Sequence, residues 1–221
     1  MNQSLDSLDL VVMDVETTGL SPLRGDRICE IGAIRWRGDA EVARFHSFVN
    51  PCRPVSPGAF AVNQITPEML ADAPVASDVL PGFLAFLDGA VLAAYNASFD
   101  LDFLDAELRH AGLTRPASPV LDVLQLARRC LPHLPRHPLW AVARVLGVAE
   151  TQSHRALGDV EITGRLLHHF LSTLRTEGAV TIDAVLAHSQ PRRPGRSAFR
   201  RFGTRRAGFT RETHRPDSRT E

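Results

Sequence analysis

The stretch "LVVMDVETTGL", residues 10–20, combines a strand suited to burial with acidic and turn-forming residues at its end. Residues 10–13 form an apolar run of the kind found in central strands. Asp14 and Glu16 follow, and side chains at positions i and i+2 of a strand point to the same side. The Thr-Thr-Gly sequence at 17–19 then interrupts the strand pattern. The stretch therefore predicts a buried strand that presents two neighbouring carboxylates where it leaves the core.

The charges of the chain are distributed unevenly. Its 221 residues are 44% hydrophobic, enough for a core of ordinary size, and the formal net charge is zero. All 25 basic residues are arginines: ten stand with three acids in residues 191–221, and 15 stand with 22 acids in the rest. We expect one folded domain over 1–188. The Arg-rich remainder, 189–221, has too few apolar residues to offset the entropy of ordering and is predicted to be disordered.

The sequence also indicates a cellular compartment. Its three cysteines are scattered without a CxxC pair, which argues against a zinc site or a disulfide framework and fits a reducing cytosol. The first ten residues, "MNQSLDSLDL", lack the basic and apolar regions of a signal peptide, and no apolar run approaches the ~20 residues that span a bilayer. These observations predict a cytoplasmic protein without a membrane partner.

Periodicity along the chain predicts an α/β domain with a mixed sheet. Strand patterns at 9–15, 29–36 and 42–49 predict an antiparallel meander, and further strand patterns occur at 90–95 and at the start of "PVLDVLQLARRCL". The proline-rich residues 51–66 are expected to form a surface loop, followed by a short helix from Pro67. Further helical patterns cover 76–87, 99–112, the later part of "PVLDVLQLARRCL", 138–147, 155–176 and 181–188.

Other polar residues follow the later elements of this pattern. "AYNASFD" places Asp100 just after an apolar strand and beside Asn96, at a junction where α/β sheets often collect ligand-binding groups. "SHRALGD" places His154 in a predicted loop and Asp159 in the helix that follows. Each motif has an ordinary explanation when it is considered alone. The helix dipole favours an acid such as Asp100 at a helix N-terminus, and His154 and Asp159 are equally explained as a histidine at a helix start and a surface acid.

Taken in order, the motifs Asp-x-Glu, Asn-x-x-Phe-Asp and His-x-x-x-x-Asp resemble the DEDDh exonuclease family. These are ribonuclease-H-like 3′→5′ exonucleases, typified by the proofreading epsilon subunit of bacterial DNA polymerase III. The resemblance runs from about residue 8 to residue 174 and includes "DRICEIGAI", "VNQITPEML", "DLDFLDAEL" and "LDVLQLARR". It implies a ribonuclease-H-like mixed five-stranded sheet flanked by helices.

The resemblance also implies a metal site. Asp14, Glu16, Asp100 and Asp159 would be the ligands of two divalent cations, and His154 would be the general base that deprotonates the attacking water. Four converging carboxylates would raise each other's pKa unless a cation offset their charge. Hard oxygen ligands favour Mg²⁺ or Mn²⁺ over zinc, and the unperturbed histidine pKa of about 6.5 suits a base near neutral pH.

Four further residues are implied as substrate contacts. Thr17, Thr18 and Leu20 follow the first carboxylates, and Asn96 precedes Asp100. Turn formation, core packing or capping accounts for each of them equally well. The chain also departs from its family at "NQIT", residues 63–66, where relatives of the proofreading subunit often have His-Gly-Ile-Thr. This change is expected to affect preference for the terminal nucleotide rather than the metals.

The implied function is metal-dependent 3′→5′ hydrolysis of single-stranded or frayed DNA 3′ ends to nucleoside 5′-monophosphates, in replication proofreading or DNA repair. An RNA-trimming exoribonuclease of the same family is the first alternative. A catalytically silent nucleic-acid-binding module is the second, although the intact acids and His154 argue against it. The tail segment "RSAFRRFGTRRAGFTRE" could bind nucleic acid, dock on a DNA polymerase catalytic subunit, or only improve solubility.

Overall fold

A mixed sheet with helices on both of its faces forms the part of the chain that the structure describes. The structure is a computed structural model and describes residues 4–148 and 155–189. The strands are β1 (Asp9–Thr17), β2 (Ile28–Arg37), β3 (Ala40–Phe48), β4 (Val91–Ala94) and β5 (Val120–Asp122). The helices are α1 (Pro57–Asn63), α2 (Pro67–Ala71), α3 (Ala76–Leu87), α4 (Ala97–His110), α5 (Val123–Cys130), α6 (Leu139–Val145), α7 (Ala156–Thr176) and α8 (Ile182–Ser189).

The strand order is β3-β2-β1-β4-β5, which places β1 at the centre of the sheet. β1 pairs antiparallel with β2 and β2 antiparallel with β3, so the predicted meander is confirmed. β4 joins β1 in parallel on the other side, and β5 joins β4 in parallel. The predicted α/β class with a mixed five-stranded sheet is therefore confirmed.

The two faces of β1 are buried against different helices. Leu10 and Val12 belong to an apolar cluster that includes residues of α5, α6, α7 and α8. Val11 and Met13 belong to a second cluster, with residues of α3 and α4. Side chains alternate along a strand, so Asp14 lies on the same face as Leu10 and Val12, which is the face that packs against α7.

The expectation of a loop over residues 51–66 is wrong in its second half, where helix α1 forms. The Ser56 hydroxyl caps this helix by accepting the N–H of Ala59, and a proline occupies the first helical position, where its missing N–H costs nothing. Gln64 ends the helix in the left-handed conformation, with φ of 54°. The proline content that suggested a loop belongs to the residues before α1 and to its first turn.

Some predictions fall outside the described residues. They include His154, the proposed general base, and the Arg-rich tail over 189–221, except for Ser189. The division into domains at residue 188 therefore stays a prediction. Within residues 4–148 and 155–189, no helix combines the length and the hydrophobicity that crossing a membrane requires.

Gly32 on β2 allows the first turn of α7 to lie directly on the sheet beside Asp14, its cross-strand partner. A Cβ atom at position 32 would lie 2.7 Å from the backbone of both Ala156 and Leu157. We expect Gly32→Ala to lower the free energy of unfolding by about 1–3 kcal/mol, because backbone atoms must move to admit the methyl group. Denaturant titration measures this. Gly82→Ala is the control, since its Cβ would meet nothing closer than 4.0 Å, and a loss of similar size there would contradict the interpretation.

Candidate active site

Three carboxylates meet at the end of β1. Asp14 and Glu16 extend from the strand and Asp159 from the first turn of α7, and one ligand oxygen of each lies within 4.8 Å of the others. The β1–β2 register shifts between Glu16 and Thr17, so the regular strand pairing is interrupted at this point. The structure thus brings together three of the four acids that the sequence predicted as metal ligands.

Asp100, the fourth predicted ligand, lies beside this group but is held by the backbone of β1. It is in the first turn of α4, its side chain is buried, and its Oδ1 accepts the N–H of Val15 at 3.1 Å. Its charge still raises the pKa of Asp14. Asp100 therefore lies in the immediate surroundings of the site, although it is not one of the three acids whose oxygens cluster.

The electrostatics of the cluster are unfavourable in the absence of a cation. Burial raises the pKa of Asp14 well above its usual value, and the charges of Asp100, Glu16 and Asp159 raise it further. Burial, followed by the charge of Asp159, raises the pKa of Glu16 to about 8. A bound cation reverses this repulsion, and a set of carboxylate oxygens is suited to a hard divalent ion. The cluster is therefore a candidate metal centre.

A cavity of about 610 Å³ opens next to Glu16. Thr17 and Leu20, two of the predicted substrate contacts, contribute to its wall. Leu20 is 87% exposed although it is apolar, and Phe99 of α4 also lines the cavity. A pocket of this size with apolar surface beside a polar centre is suited to a small ligand or the end of a larger one.

The other two predicted substrate contacts are placed differently. Thr18 is fully buried, and its hydroxyl accepts the N–H of Arg27 at 3.1 Å, which fits the structural explanation for this residue. Asn96 is exposed in the left-handed conformation with φ of 66°, and its side chain makes no capping hydrogen bond to α4. Neither residue is among those that line the cavity. A contact between Asn96 and the substrate stays a prediction.

Asn63, the first residue of the "NQIT" stretch, is part of the cavity wall. It is buried; its amide nitrogen donates to the carbonyl of Thr17 at 3.2 Å, and its Oδ1 accepts the N–H of Ile65 at 3.1 Å. A hydrogen bond from Asn63 lowers the pKa of Glu16, against the larger effect of burial. Asn63 therefore connects α1 to the end of β1 and contacts a metal-ligand candidate.

Glu30 is a buried acid that the sequence analysis did not identify as part of the site. It lies on β2 directly opposite Glu16, and only 1% of its side chain is exposed. Its carboxylate accepts two hydrogen bonds from the guanidinium of Arg155, at 2.9 and 3.1 Å, and one from His46 at 2.7 Å. The N–H of Ala156 donates to it at 3.4 Å.

This network fixes the start of α7 to the sheet. Burial alone would raise the pKa of Glu30, but the hydrogen bonds from Arg155 and His46 outweigh burial and hold the pKa below its usual value. Arg155 stands next to His154 in the sequence and begins the turn that carries Asp159. A charged residue inside the apolar strand "ICEIGAI" was the available signal, because a buried acid requires a partner.

A sheet of this strand order with an acidic cluster at the end of its central strand is the arrangement expected of a ribonuclease-H-like nuclease. The model of the exonuclease family RNase_T matches residues 11–167. The chain belongs to this exonuclease family. The assignment to an exonuclease family that was made from the motifs is thereby confirmed.

Two of the chain's relatives carry the names of DNA polymerase III proteins. It is 39% identical over 168 residues to the PolC-type DNA polymerase III of Bacillus cereus, covering 76% of this chain and 12% of the relative. It is 39% identical over 196 residues to a DNA polymerase III subunit epsilon-like protein of Rhodobacter capsulatus, covering 87% and 27%. The chain therefore spans only about an eighth to a quarter of the length of these relatives.

Solved structures show the same fold. Exonuclease X in complex with 5′ overhanging duplex DNA is 28% identical, with a TM-score of 0.65 over 82% of this chain and 99% of that one. Exonuclease I of E. coli, in complex with a dT13 oligonucleotide, has a TM-score of 0.70 over 77% of this chain and 42% of that one. At 18% identity, the second likeness concerns the fold alone.

The raised acid pKa values predict a pH-dependent stability of the metal-free protein. In the folded state Asp14 and Glu16 keep their protons to a higher pH than in the unfolded state, where ordinary carboxyl groups lose theirs near pH 4. The free energy of unfolding is therefore greatest below about pH 4 and falls as pH rises through about 8. With chelator present, we expect Tm to fall by about 5 °C between pH 5.5 and 8.5. Mg²⁺ at pH 8.5 should restore it, because a ligand of the native state stabilises that state.

Asp14→Asn is the matched variant for this measurement, since it removes one of the repelling charges and keeps the shape of the side chain. Its Tm in chelator should depend less on pH than that of the wild type over the same range. Equal pH dependence in the two proteins would contradict the electrostatic interpretation of the cluster.

The Glu30 network predicts a large effect of a small substitution. Glu30→Gln replaces the charge-assisted hydrogen bonds from Arg155 and His46 by neutral ones. Because the Arg155 side chain is itself 42% exposed, we expect the free energy of unfolding to fall by about 2 kcal/mol. Mn²⁺ affinity, measured by calorimetry, should fall as well because the turn with Asp159 loses its attachment. Arg44→Gln is the control: Arg44 also connects β3 to α7, through Glu161, but this pair is exposed and is worth at most about 1 kcal/mol. Equal losses in the two variants would contradict the role given to Glu30.

Proposed function

We propose that the protein is a metal-dependent 3′→5′ exonuclease that hydrolyses single-stranded or frayed DNA 3′ ends to nucleoside 5′-monophosphates. The observation that carries this proposal is the convergence of Asp14, Glu16 and Asp159 beside a cavity with an apolar wall. Acids packed this closely serve folding poorly, and a family of exonucleases accounts for their positions. The active site thus lies at the end of β1, the central strand.

The cavity suggests how the 3′-terminal nucleotide would bind. Leu20 and Phe99 supply apolar surface against which a base can pack, and both lie near Glu16, where the phosphate would meet the carboxylates. The exposure of Leu20 fits a side chain that becomes covered when substrate binds. Apolar packing of this kind does not depend on which base is present. An enzyme that acts on many sequences requires such contacts.

The donor set supports two divalent cations, Mg²⁺ or Mn²⁺. Asp14, Glu16, Asp100 and Asp159 would hold them. Such ions, when bound, activate a water molecule and stabilise the charge on the scissile phosphate and the leaving 3′-oxygen. His154, on the evidence of its motif, would take the proton from the attacking water.

The relatives support DNA as the substrate and proofreading or repair as the role. PolC-type and epsilon-like polymerase proteins match the chain over most of its length, and exonuclease X was solved with duplex DNA. We propose a cytoplasmic enzyme that acts at DNA 3′ ends, either by itself or with a polymerase catalytic subunit bound through its C-terminal region.

Digestion of one sequence, as DNA and as RNA with a 5′ label, tests the proposal. With Mn²⁺ or Mg²⁺, but not with chelator, we expect a ladder that shortens from the 3′ end and faster cleavage of DNA. Asp14→Asn should reduce the rate by at least about a thousandfold while the protein stays folded, because the proposed metal centre loses one of its carboxylate ligands. Asp102→Asn, an exposed acid near Asp100, is the control and should retain activity.

Other outcomes of this digestion would change the conclusion. Faster cleavage of RNA would assign the enzyme to the RNA-trimming branch of the family. Full activity of Asp14→Asn would contradict the proposed metal centre. No cleavage of either strand with any metal would favour a binding module without catalysis.

A further inference from the structure

One segment of the described chain has a charge opposite to that of its surroundings. Residues 123–148, called here the basic segment, contain four arginines and two histidines but no aspartate or glutamate. The rest of residues 1–190 contains 11 arginines and 22 acids. The basic segment comprises α5, α6 and the proline-containing connection between them.

Most of the cations of the basic segment face solvent. Arg128, His133, Arg136 and Arg144 are exposed, whereas Arg129 is half-buried and lies 3.7 Å from the carboxylate of Glu177. Four positively charged or ionisable side chains are therefore available on this surface. Two acids, Asp122 at the N-cap of α5 and Glu177 beside Arg129, lie next to the segment, but its arginines and histidines outnumber them. A surplus of exposed cations favours an anionic partner.

An exposed aromatic ring lies among these cations. Trp140 on α6 is 41% exposed, and the guanidinium of Arg144, one helical turn later, lies 5.4 Å from the centre of its ring. The opposite side of α6 is buried, since Val142 and Ala143 belong to the apolar cluster shared with α7. The ring is thus presented outward on a helix whose position is fixed by the core.

A hydrogen bond places the basic segment next to the active site. The hydroxyl of Tyr95 donates to the carbonyl of His137 at 2.6 Å. Tyr95 directly follows β4, which pairs in parallel with β1, so the ends of the two strands lie at the same edge of the sheet. The connection before α6 is therefore attached at the sheet edge that carries the carboxylates.

The first helix of the basic segment, α5, begins where β5 ends, and β5 pairs in parallel with β4. The basic segment therefore starts at the same edge of the sheet as the carboxylates. Burial raises the pKa of the Tyr95 hydroxyl, the charge of Arg128 lowers it and that of Asp122 raises it.

We propose that the basic segment binds the single-stranded part of the substrate upstream of its 3′ end, with Trp140 stacking on a base and Arg136 and Arg144 neutralising phosphates. The inference rests on the proposed function and adds a second binding surface outside the cavity. Basic grooves with aromatic platforms are the usual means of binding single strands without sequence preference, because every base has a stacking face. An exonuclease that degrades any sequence needs this kind of contact.

Binding and cleavage of single-stranded dT12 by the full chain test the inference. Affinity is measured by fluorescence anisotropy in chelator, so that it does not depend on catalysis. Cleavage of dT12 is compared with that of the p-nitrophenyl ester of thymidine 5′-monophosphate, which is too small to extend from the cavity to the basic segment. Three changes are compared: Trp140→Leu, Trp140→Phe and the pair Arg136→Gln with Arg144→Gln.

We expect Trp140→Leu to weaken dT12 binding about tenfold, and Trp140→Phe to retain most of the affinity because stacking is preserved. The ratio of kcat/KM for dT12 to that for the ester should fall by the same factor in Trp140→Leu. The arginine pair should lower the slope of log Kd against log salt by about 0.7 for each phosphate that is no longer neutralised. Arg109→Gln, an exposed arginine near the end of α4, is the control and should leave affinity and slope unchanged.

Unchanged dT12 affinity and salt slope in all variants of the basic segment would overturn the inference and leave the surface for a protein partner. So would equal losses for Trp140→Leu and Trp140→Phe, or a fall in cleavage of the ester as large as that for dT12. Failure of the wild type to cleave either substrate would instead contradict the proposed function, and the anisotropy measurements would still decide the role of Trp140.

Discussion

Repulsion between acids at the end of β1 is the constraint that the rest of the structure must overcome. Asp14, Glu16 and Asp159, each of them partly buried, place their oxygens within 4.8 Å of one another, and Glu16 also faces Glu30 across the strand pair. Apolar clusters on both faces of β1 supply the opposing stabilisation. The acids are held in place by a core that they do not stabilise, which leaves them ready for a cation.

The two helices that complete the site are attached to the sheet by different means. α4 brings Asp100 against the backbone of β1, where the N–H of Val15 fixes one of its oxygens. α7 brings Asp159, and it approaches closely because Gly32 has no side chain and because Glu30 accepts hydrogen bonds from the first residues of the helix. An anionic group below a helix N-terminus is also favoured by the helix dipole. The hydrogen bonds that Glu30 accepts thus offset the cost of burying its charge, and they also position Asp159, a metal-ligand candidate.

Local patterns in the sequence predicted the sheet, most helices and the pairing of Asp14 with Glu16, because strand alternation and helix periodicity place neighbouring residues. The roles of Asp100 and Asp159 were predicted only from the resemblance to a family. Local patterns could not predict the contact between Glu30 and Arg155, which lie 125 residues apart and meet only when α7 packs on β2. Helix α1 was missed because prolines before it and in its first turn suggested a loop, although the Ser56 cap was visible in the sequence. The hydrogen bond between the N–H of Val15 and Oδ1 of Asp100 also depends on packing. The motif identifies Asp100 as an acid of the site but does not predict this bond.

A nuclease with an acidic body faces a second electrostatic problem, since its substrate is a polyanion. Cations at the centre would neutralise the carboxylates and the scissile phosphate, but their effect falls off within about 10 Å at moderate salt. The remaining phosphates of the strand need positive charge elsewhere. Residues 123–148 carry such charge without any acid, and the bond between Tyr95 and the carbonyl of His137 keeps them next to the strand that carries Asp14. The same fold can therefore concentrate negative charge where metal binds and keep it away from the surface that the substrate would follow.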